Sequence, residues 1–398
     1  MIDTWNVLHQ TGILPPEDAG IGIRGLTNLV QKSRFQGCQI TLVCDGTNVS
    51  EAISAPHVMC IFTGPHKSAD DEIIERVRAS SGARDILVIS SDLAISKAVR
   101  AAERDGIPSH GMLYVPIYCE HVKCGKVDGS AVPELIQPRQ SAIKVDAKTG
   151  FAHPAIDAGF NELIPLVKSN GCAGLTIFNS YNCGVLGYHV ERLAEADIIG
   201  IGFTNSPASI APVGGKKPVI GTNPFALAVP DSAGGAAFVL DQSASVVAKS
   251  EIMMRAREGE SIPEGWALDP EGQSTTDPEI ALKGSMAPSG GYKGFGIGLL
   301  VEVMAAALSG AVLGIQASPF SGTTGGPPRT GQCFIAFDPE AYSGAEFYER
   351  ISALVDAIQS QDGARLPGER RKKNRQRIEL EGVEVSQSLI EKIRTFCI

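Results

Sequence analysis

Ser109-His110-Gly111 is the stretch of this sequence best suited to moving a proton. A run rich in Ala, Arg and Glu over residues 94–104 stops at Gly106, Pro108 stiffens the turn, and an imidazole is presented between a hydroxyl and a glycine. Histidine titrates near neutrality, so such a side chain can act as acid or base at physiological pH. Downstream, apolar runs empty into polar, glycine-bearing loops. Residues 175–178 lead into Asn179-Ser180-Tyr181-Asn182-Cys183-Gly184, and residues 237–240 lead into Asp241-Gln242-Ser243-Ala244-Ser245. A long loop over 211–225 carries Lys216, Lys217, Thr222 and Asn223, and Gly290-Gly291-Tyr292-Lys293-Gly294 opens an apolar helix expected over 297–308. Glycines at strand ends and helix starts let backbone amides approach an anion. Together these loops suit a small anionic substrate beside a phosphate-bearing cofactor. The plainer reading of each is structural: a core histidine, a surface loop, close helix packing.

A second chemistry is written in the first hundred residues. Short apolar runs at 1–2, 39–44, 58–62 and 86–91 alternate with helix-like stretches at 26–35, 69–80 and 94–104, the pattern of an open parallel sheet. Asp3, Asp45 and Asp92 stand at the ends of apolar runs, and Asp70-Asp71 begins a helix. Carboxylates gathered at one sheet edge can hold Mg²⁺ or Mn²⁺ against a phosphodiester; the alternative is that each is a turn residue or helix cap. Gly20-Ile21-Gly22-Ile23-Arg24-Gly25 matches the dinucleotide GxGxxG letter for letter, but it follows Pro15-Pro16-Glu17-Asp18 rather than a strand, so it lacks the context that binds a pyrophosphate.

The chain is 398 residues long, which favours two or three domains, with 43% hydrophobic and 20% charged residues as in an ordinary globular protein. A net charge of -9 argues against a broad nucleic-acid surface. The one dense basic run, residues 370–377, reads either as a solvated face or as a phosphate-binding strip. Nine scattered cysteines form no CxxC pair, so reduced thiols in the cytoplasm are expected. No signal peptide and no bilayer-length apolar segment are apparent, so a soluble protein without a membrane partner is expected.

Two resemblances sharpen this. Ser109-His110-Gly111, residues 179–187, Gly221-Thr222-Asn223-Pro224, Thr275-Thr276-Asp277-Pro278, Gly290-Gly291-Tyr292-Lys293-Gly294 and Leu366-Pro367-Gly368-Glu369-Arg370-Arg371 resemble the malate/L-lactate dehydrogenase family of the non-Rossmann type, over about residue 100 to the end. That family includes sulfolactate and ureidoglycolate dehydrogenases and reductases of Δ1-piperideine-2-carboxylate and Δ1-pyrroline-2-carboxylate. The resemblance implies an α/β fold without a Rossmann domain, usually in a homodimer. It implies hydride transfer between NADP or NAD and C2 of a small 2-oxo, 2-hydroxy or 2-imino acid. By motif position His110 is the proton relay and Ser109 orients it. Glu251 completes the relay, with Asp241 as rival. Asn182 and Thr222 contact substrate. Asp241, Gln242, Ser243, Ala244, Gly291, Lys293, Arg365, Pro367, Gly368, Glu369, Arg370 and Arg371 line the cofactor, and the arginines favour the 2′-phosphate of NADP. Tyr114 stands where many members have arginine, and Asn182 where many have a second histidine. Both keep hydrogen bonding and drop positive charge, which bears on the substrate.

The other resemblance is of residues 2–8, 43–46, 69–76 and 88–92 to the NYN branch of PIN-like ribonucleases. It implies a metal site of Asp3, Asp70 or Asp71, and Asp92, with Asn6 beside them, and RNA as partner. A threonine and a tryptophan, Thr4 and Trp5, stand where Gly-Tyr is usual, and the module looks incomplete. The expected organisation is therefore a PIN-like module over 1–99 and a dehydrogenase-like region over 100–398. The competing functions are an NAD(P)-dependent oxidoreductase, a metal-dependent ribonuclease, and a fusion in which neither is active.

Overall fold

The computed structural model describes residues 2–3, 26–27, 40–44, 57–64, 72 and 93–396. The chain divides into two compact units, residues 1–93 with 386–398, and residues 94–385.

In the first unit, strands β1 (Ile2–Asp3), β2 (Ile40–Cys44) and β3 (Val58–Phe62) pair parallel in that order. Leu42, Val43 and Cys44 are fully buried, as expected for a central parallel strand covered on both faces. The Sγ atoms of Cys44 and Cys60, on neighbouring strands, are 3.6 Å apart. Asn6, Asp45, Asp70, Asp71, Asp92 and the Gly20–Gly25 motif lie outside the described residues, and Asp3 is described only as the end of β1.

The second unit is built on a seven-stranded sheet. Its strands are β4 (Glu134–Arg139), β5 (Ala142–Asp146), β6 (Cys172–Ser180), β7 (Ile199–Thr204), β8 (Phe225–Pro230) and β9 (Ala236–Gln242), and a late strand, Thr330–Phe337, enters the middle to give the order β4-β5-β6-late-β7-β8-β9. Only β5 and β6 pair parallel; every other neighbour is antiparallel. A separate small sheet is formed by β10 (Ala267–Leu268), β11 (Ser274–Thr275) and β12 (Ser285–Met286), and the late strand is accordingly β13. A mostly antiparallel sheet offers no parallel switch point for a dinucleotide, so a cofactor must be held by other means.

The principal helices are, in chain order, α1 (Leu93–Arg104), α2 (Val115–Lys123), α3 (Ala152–Asn170), α4 (Leu186–Ala194), α5 (Lys249–Glu258), α6 (Tyr292–Glu302), α7 (Glu346–Gln359) and α8 (Glu369–Glu381); a single helical turn over Pro278–Ala281 follows α5, and Gln387–Arg394 forms a helix of the first unit. Helix α2 starts at Val115 with Pro116 in its first turn, where a missing N–H costs nothing. The apolar helix expected over 297–308 begins earlier, at Tyr292, and gives way to a π-helical turn over Val303–Ala307.

Helix α3 shows how pattern becomes packing. Ala152, Ala155, Ile156, Gly159, Phe160, Leu163 and Val167 recur at three- and four-residue intervals, and all are buried. They share one core with Leu175 and Ile177 of β6, Phe334 of β13, and Leu186, Val190 and Leu193 of α4. Both helices therefore cover one face of the sheet. A Cβ on Gly159 would lie 2.5 Å from a methyl of Leu175. Gly159→Ala should thus overpack this contact and lower stability by about 1–3 kcal/mol, read as a drop in urea midpoint; an unchanged midpoint would refute the packing argument.

Candidate active site

The carboxyl end of α1 delivers the proton-bearing turn. Pro108–His110 and Met112–Tyr114 form two successive 3₁₀ turns, and the Ser109 hydroxyl lies 3.1 Å from His110 Nδ1. Gly111 leaves room for the Glu103 carboxylate, which accepts the Met112 N–H at 2.7 Å; a Cβ there would lie 2.0 Å from it and push it aside. The imidazole of His110 stacks on the ring of Tyr114, with centroids 6.1 Å apart and planes within 6°. Burial lowers the His110 pKa below its usual 6.5; Asp241 opposes this and Arg371 adds to it. His110 therefore shares an electrostatic environment with two residues of the expected cofactor set.

Tyr114 and Asn182 are brought together. The Tyr114 hydroxyl interacts with Tyr181 and with the Asn182 side chain, while burial raises its pKa. Asn182 Oδ1 accepts the Gly184 N–H at 2.6 Å, which fixes the turn leaving β6. Thr222 lies across the sheet end, its hydroxyl 3.2 Å from that of Ser206, and its carbonyl accepts the Ala244 N–H at 2.8 Å. Thr222 and the 241–245 loop are thus joined through backbone.

Asp241, at the end of β9, holds three elements. One carboxylate oxygen accepts the Gly187 N–H at 2.9 Å, in the first turn of α4, and Arg371 Nη2 at 2.8 Å, in the first turn of α8. A carboxylate is favoured at a helix N-terminus. Beside it opens a cleft of about 310 Å³ lined by residues 239–242, 365–368, 370 and 371. A second cleft of about 310 Å³, sharing Gln242, is lined by residues 242–248, Ser289, Gly294 and Ile297. Of the residues expected to line the cofactor, Asp241, Gln242, Arg365, Pro367, Gly368, Arg370 and Arg371 meet in the first cleft, and Gln242, Ser243 and Ala244 in the second. Glu369 is not among the lining residues: its carboxylate pairs with Lys373 at 2.8 Å and accepts the Leu366 N–H at 3.3 Å. Gly291 and Lys293 are exposed at the start of α6, one turn from Gly294.

The first cleft is suited to a phosphate group. Arg371 Nη1 is buried with no hydrogen-bond partner, and a Cβ on Gly187 would lie 2.4 Å from it. A buried guanidinium nitrogen left unpaired is costly unless an anion satisfies it. The basic run is therefore divided. Arg370 joins Arg365 at the cleft. Lys372 donates to the Ala236 carbonyl at 2.7 Å, and Arg375 reaches Asp105 and Glu191, each through two hydrogen bonds of 2.6–2.8 Å. Glu251 is placed in an ion pair with Arg255 at 3.5 Å on α5; the carboxylate whose charge acts on His110 is that of Asp241.

Several residues at the site were not singled out from sequence. His121 and Lys126, both buried, hold the carbonyls of Gly322 and of Pro319 and Ser321. They lie in a short helix and loop that carries no motif, so no local signal marked them. His153 and His189 stand behind the Asn182 turn, with His189 Nε2 2.9 Å from the Cys183 carbonyl and His153 bonding to the same backbone. Burial takes His153 down to about 4, with Arg192 adding to the effect, and pushes His189 well below 6.5. In the unfolded chain both would accept protons near 6.5, so stability should be intact above that pH and fall as pH drops from 6.5 towards 4. Urea midpoints across this range, with a shallower fall in His153→Phe, check it; equal slopes in the two proteins would contradict it.

Fold and site together define an α/β protein with a buried histidine next to an arginine-lined cleft. The sequence profile of malate/L-lactate dehydrogenases matches residues 92–394, and that of YacP-like NYN domains matches residues 1–113. The chain belongs to the malate/L-lactate dehydrogenase family. It is 41% identical over 303 residues to the NADP⁺-dependent (2R)-3-sulfolactate dehydrogenase of Chromohalobacter salexigens, covering 76% of this chain and 90% of that enzyme. It is 36% identical over 304 residues to a Δ1-pyrroline-2-carboxylate reductase of Ancylobacter novellus, covering 76% and 89%. The crystal structure of Δ1-piperideine-2-carboxylate reductase from Pseudomonas syringae superposes with a TM-score of 0.72 at 33% identity, spanning 76% of this chain and 91% of that one. Among the described residues, no helix is long and apolar enough to cross a membrane, and no cluster of three or more His, Cys, Asp or Glu side chains could hold a metal ion.

Proposed function

We propose that the protein is an NADP(H)-preferring oxidoreductase that reduces a small 2-oxo or 2-imino acid at C2, or runs the reverse oxidation. The observation that carries this reading is His110, stacked on Tyr114 and electrostatically coupled to Asp241 and Arg371 of the arginine-lined cleft. When bound, the reduced nicotinamide supplies a hydride to the substrate carbon. The residues of the chain do the rest. Arg365, Arg370 and the unpartnered Nη1 of Arg371 receive phosphate, and three guanidinium groups in one cleft favour the extra 2′-phosphate of NADP. Asn182 and Thr222 supply polar contacts to the substrate. Ser109 fixes the His110 tautomer through Nδ1, leaving Nε2 to donate a proton to the substrate oxygen as the carbonyl is reduced, or to take it back in the oxidation. Asp241 holds α4, α8 and the charge balance of His110 in register. We assign this enzyme to the reducing cytoplasm, which suits the seven described cysteines, all free thiols, and infer a homodimer.

The test is oxidation of NADPH and NADH by the full chain against pyruvate, sulfopyruvate, oxaloacetate and Δ1-piperideine-2-carboxylate. Turnover of at least one, faster with NADPH and lost in Arg370→Ala/Arg371→Ala only for NADPH, is expected. No turnover with either cofactor on any substrate overturns the reading.

A further inference from the structure

Glu302 is the last residue of α6 and is only 6% exposed, a carboxylate set inside the protein. Each of its oxygens is held by an amide: Oε2 accepts from Asn223 Nδ2 at 2.7 Å, and Oε1 accepts the Gly314 N–H at 2.6 Å. The helix changes character immediately after it. The π-helical turn Val303–Ala307 follows, closed by the Leu308 N–H on the Val303 carbonyl at 2.8 Å, a local widening found mostly at functional positions.

The partners of Glu302 explain why a charged group stands here. Asn223 is fully buried at a positive φ of 38°, a left-handed conformation that persists where its surroundings fix it. Its carboxamide is committed at both ends. Oδ1 accepts the Ser206 N–H at 3.2 Å, while Nδ2 donates to the Gly298 carbonyl at 2.9 Å as well as to Glu302. A backbone N–H can only donate and a carbonyl can only accept, so this amide cannot turn over. Asn223 and Gly314 therefore both present donors to residue 302. A glutamine there would offer one acceptor oxygen and aim its NH₂ at the other donor; a carboxylate satisfies both.

What these donors flank is Thr222. Its N–H donates to Ser206 Oγ at 3.0 Å, and its hydroxyl lies 3.2 Å from the same oxygen. Gly221 and Gly314 press on Ser206 through bare backbone: a Cβ on Gly221 would lie 2.1 Å from Ser206 Oγ, and one on Gly314 2.8 Å from the Ser206 carbonyl oxygen. Glu302 thus ties down both sides of the Ser206–Thr222 contact, one through Asn223 and the other through Gly314.

We propose that Glu302 is a positioning residue for the reduction: by accepting from Asn223 and Gly314 at once, its carboxylate aims the Thr222 hydroxyl at the substrate, so that substrate affinity depends on a charge the substrate never meets. This rests on the reductase reading above, in which Thr222 contacts the substrate.

The experiment measures KM and kcat at saturating NADPH in the full chain, with the best substrate of the four named above. The proteins compared are the parent, Thr222→Val, Glu302→Gln, Thr222→Val/Glu302→Gln and Glu302→Gln/Asn223→Asp. Glu302→Gln should raise KM for the substrate about tenfold or more, the worth of one hydrogen bond to a charged group, with kcat and the NADPH Kd moved by no more than about twofold. In the Thr222→Val background the same exchange should move KM by less than about twofold, because the hydroxyl it positions is gone. Glu302→Gln/Asn223→Asp should bring KM most of the way back. There the new amide donates to the new carboxylate, which still accepts the Ser206 N–H, and the amide oxygen still accepts the Gly314 N–H. If Glu302→Gln does not fold, Glu302→Asp gives the same comparison, since it keeps both acceptors but draws them back by one methylene. A parental KM in the Glu302 variant, or an equal rise with and without the Thr222 hydroxyl, overturns the proposal and leaves the reductase reading standing. A parental KM in Thr222→Val does the same. No turnover by the parent of any of the four substrates with either cofactor removes both.

Discussion

His110→Gln lowers kcat for NADPH-dependent reduction by about 10²- to 10⁴-fold, the span expected when a positioned acid–base group is lost. Glutamine is chosen because it retains a polar group within reach of the Ser109 hydroxyl, 3.1 Å from Nδ1 in the parent protein, while it cannot carry a transferable proton at neutral pH. The loss should fall on kcat, with KM for NADPH little changed, because the arginine-lined cleft does not use the imidazole for binding. The pH profile adds a second, independent readout. Reduction needs the protonated imidazole, and burial lowers its pKa below 6.5 with Arg371 adding to the shift and Asp241 opposing it. The rate of reduction should therefore fall as pH rises through a value below 6.5. Arg371→Met, removing a positive neighbour, should move that limb to higher pH, and Asp241→Asn should move it lower. A His110→Gln enzyme within tenfold of the parent, or a limb unmoved by both substitutions, would remove His110 from the reaction.

What could be read beforehand and what could not divide along a physical line. Local pattern carried the helices and strands whose signals lie within a few residues. The 94–104 run became α1, the apolar run at 175–178 fell within β6, and that at 237–240 within β9. Strand β4 was not legible, because it is exposed throughout and carries Pro138, so it has no buried face to imprint an alternation. Strand β13 is an apolar run, but nothing local says that it inserts between β6 and β7 from 150 residues further on. The site followed the same rule. Ser109, His110, Asn182, Thr222, Asp241 and Arg371 sit in recognisable sequence motifs, whereas the contacts that bring them together are long-range. Arg371 finds Asp241 across 130 residues, and His121 finds Tyr181 across 60. A charge run such as 370–377 cannot announce which of its members face a ligand and which are clamps, since both need the same side chains.

Arg375 is the clamp with the largest expected effect on stability. Its guanidinium donates Nε and Nη2 to Asp105 at 2.6 and 2.8 Å, and Nη1 and Nη2 to Glu191, both at 2.6 Å. The carboxylate side chains are only 1% and 11% exposed. Asp105 closes α1 immediately before the Pro108–His110 turn, Glu191 lies on α4, and Arg375 lies on α8, whose first turn lines the arginine-rich cleft. One side chain thus ties together the three helices next to His110, the Asn182 turn and that cleft. Removing it leaves two carboxylates in a low-dielectric site without a counter-charge, and Arg375→Met should cost about 3–5 kcal/mol, the usual penalty for breaking one side of a buried ion pair. Arg104, 3.9 Å from Asp105 and 44% exposed, is too distant and too hydrated to replace it. Arg375→Lys should recover little, because a single ammonium cannot present two forks to two carboxylates. The triple variant Arg375→Met/Asp105→Asn/Glu191→Gln should recover part of the loss, since no charge is then left unpaired. Urea unfolding of the three variants beside the parent gives the order directly. If Arg375→Met matched the parent, or the triple variant proved no more stable than Arg375→Met, the cost would not lie in stranded charge, and the link between the three helices would have to come from apolar packing instead.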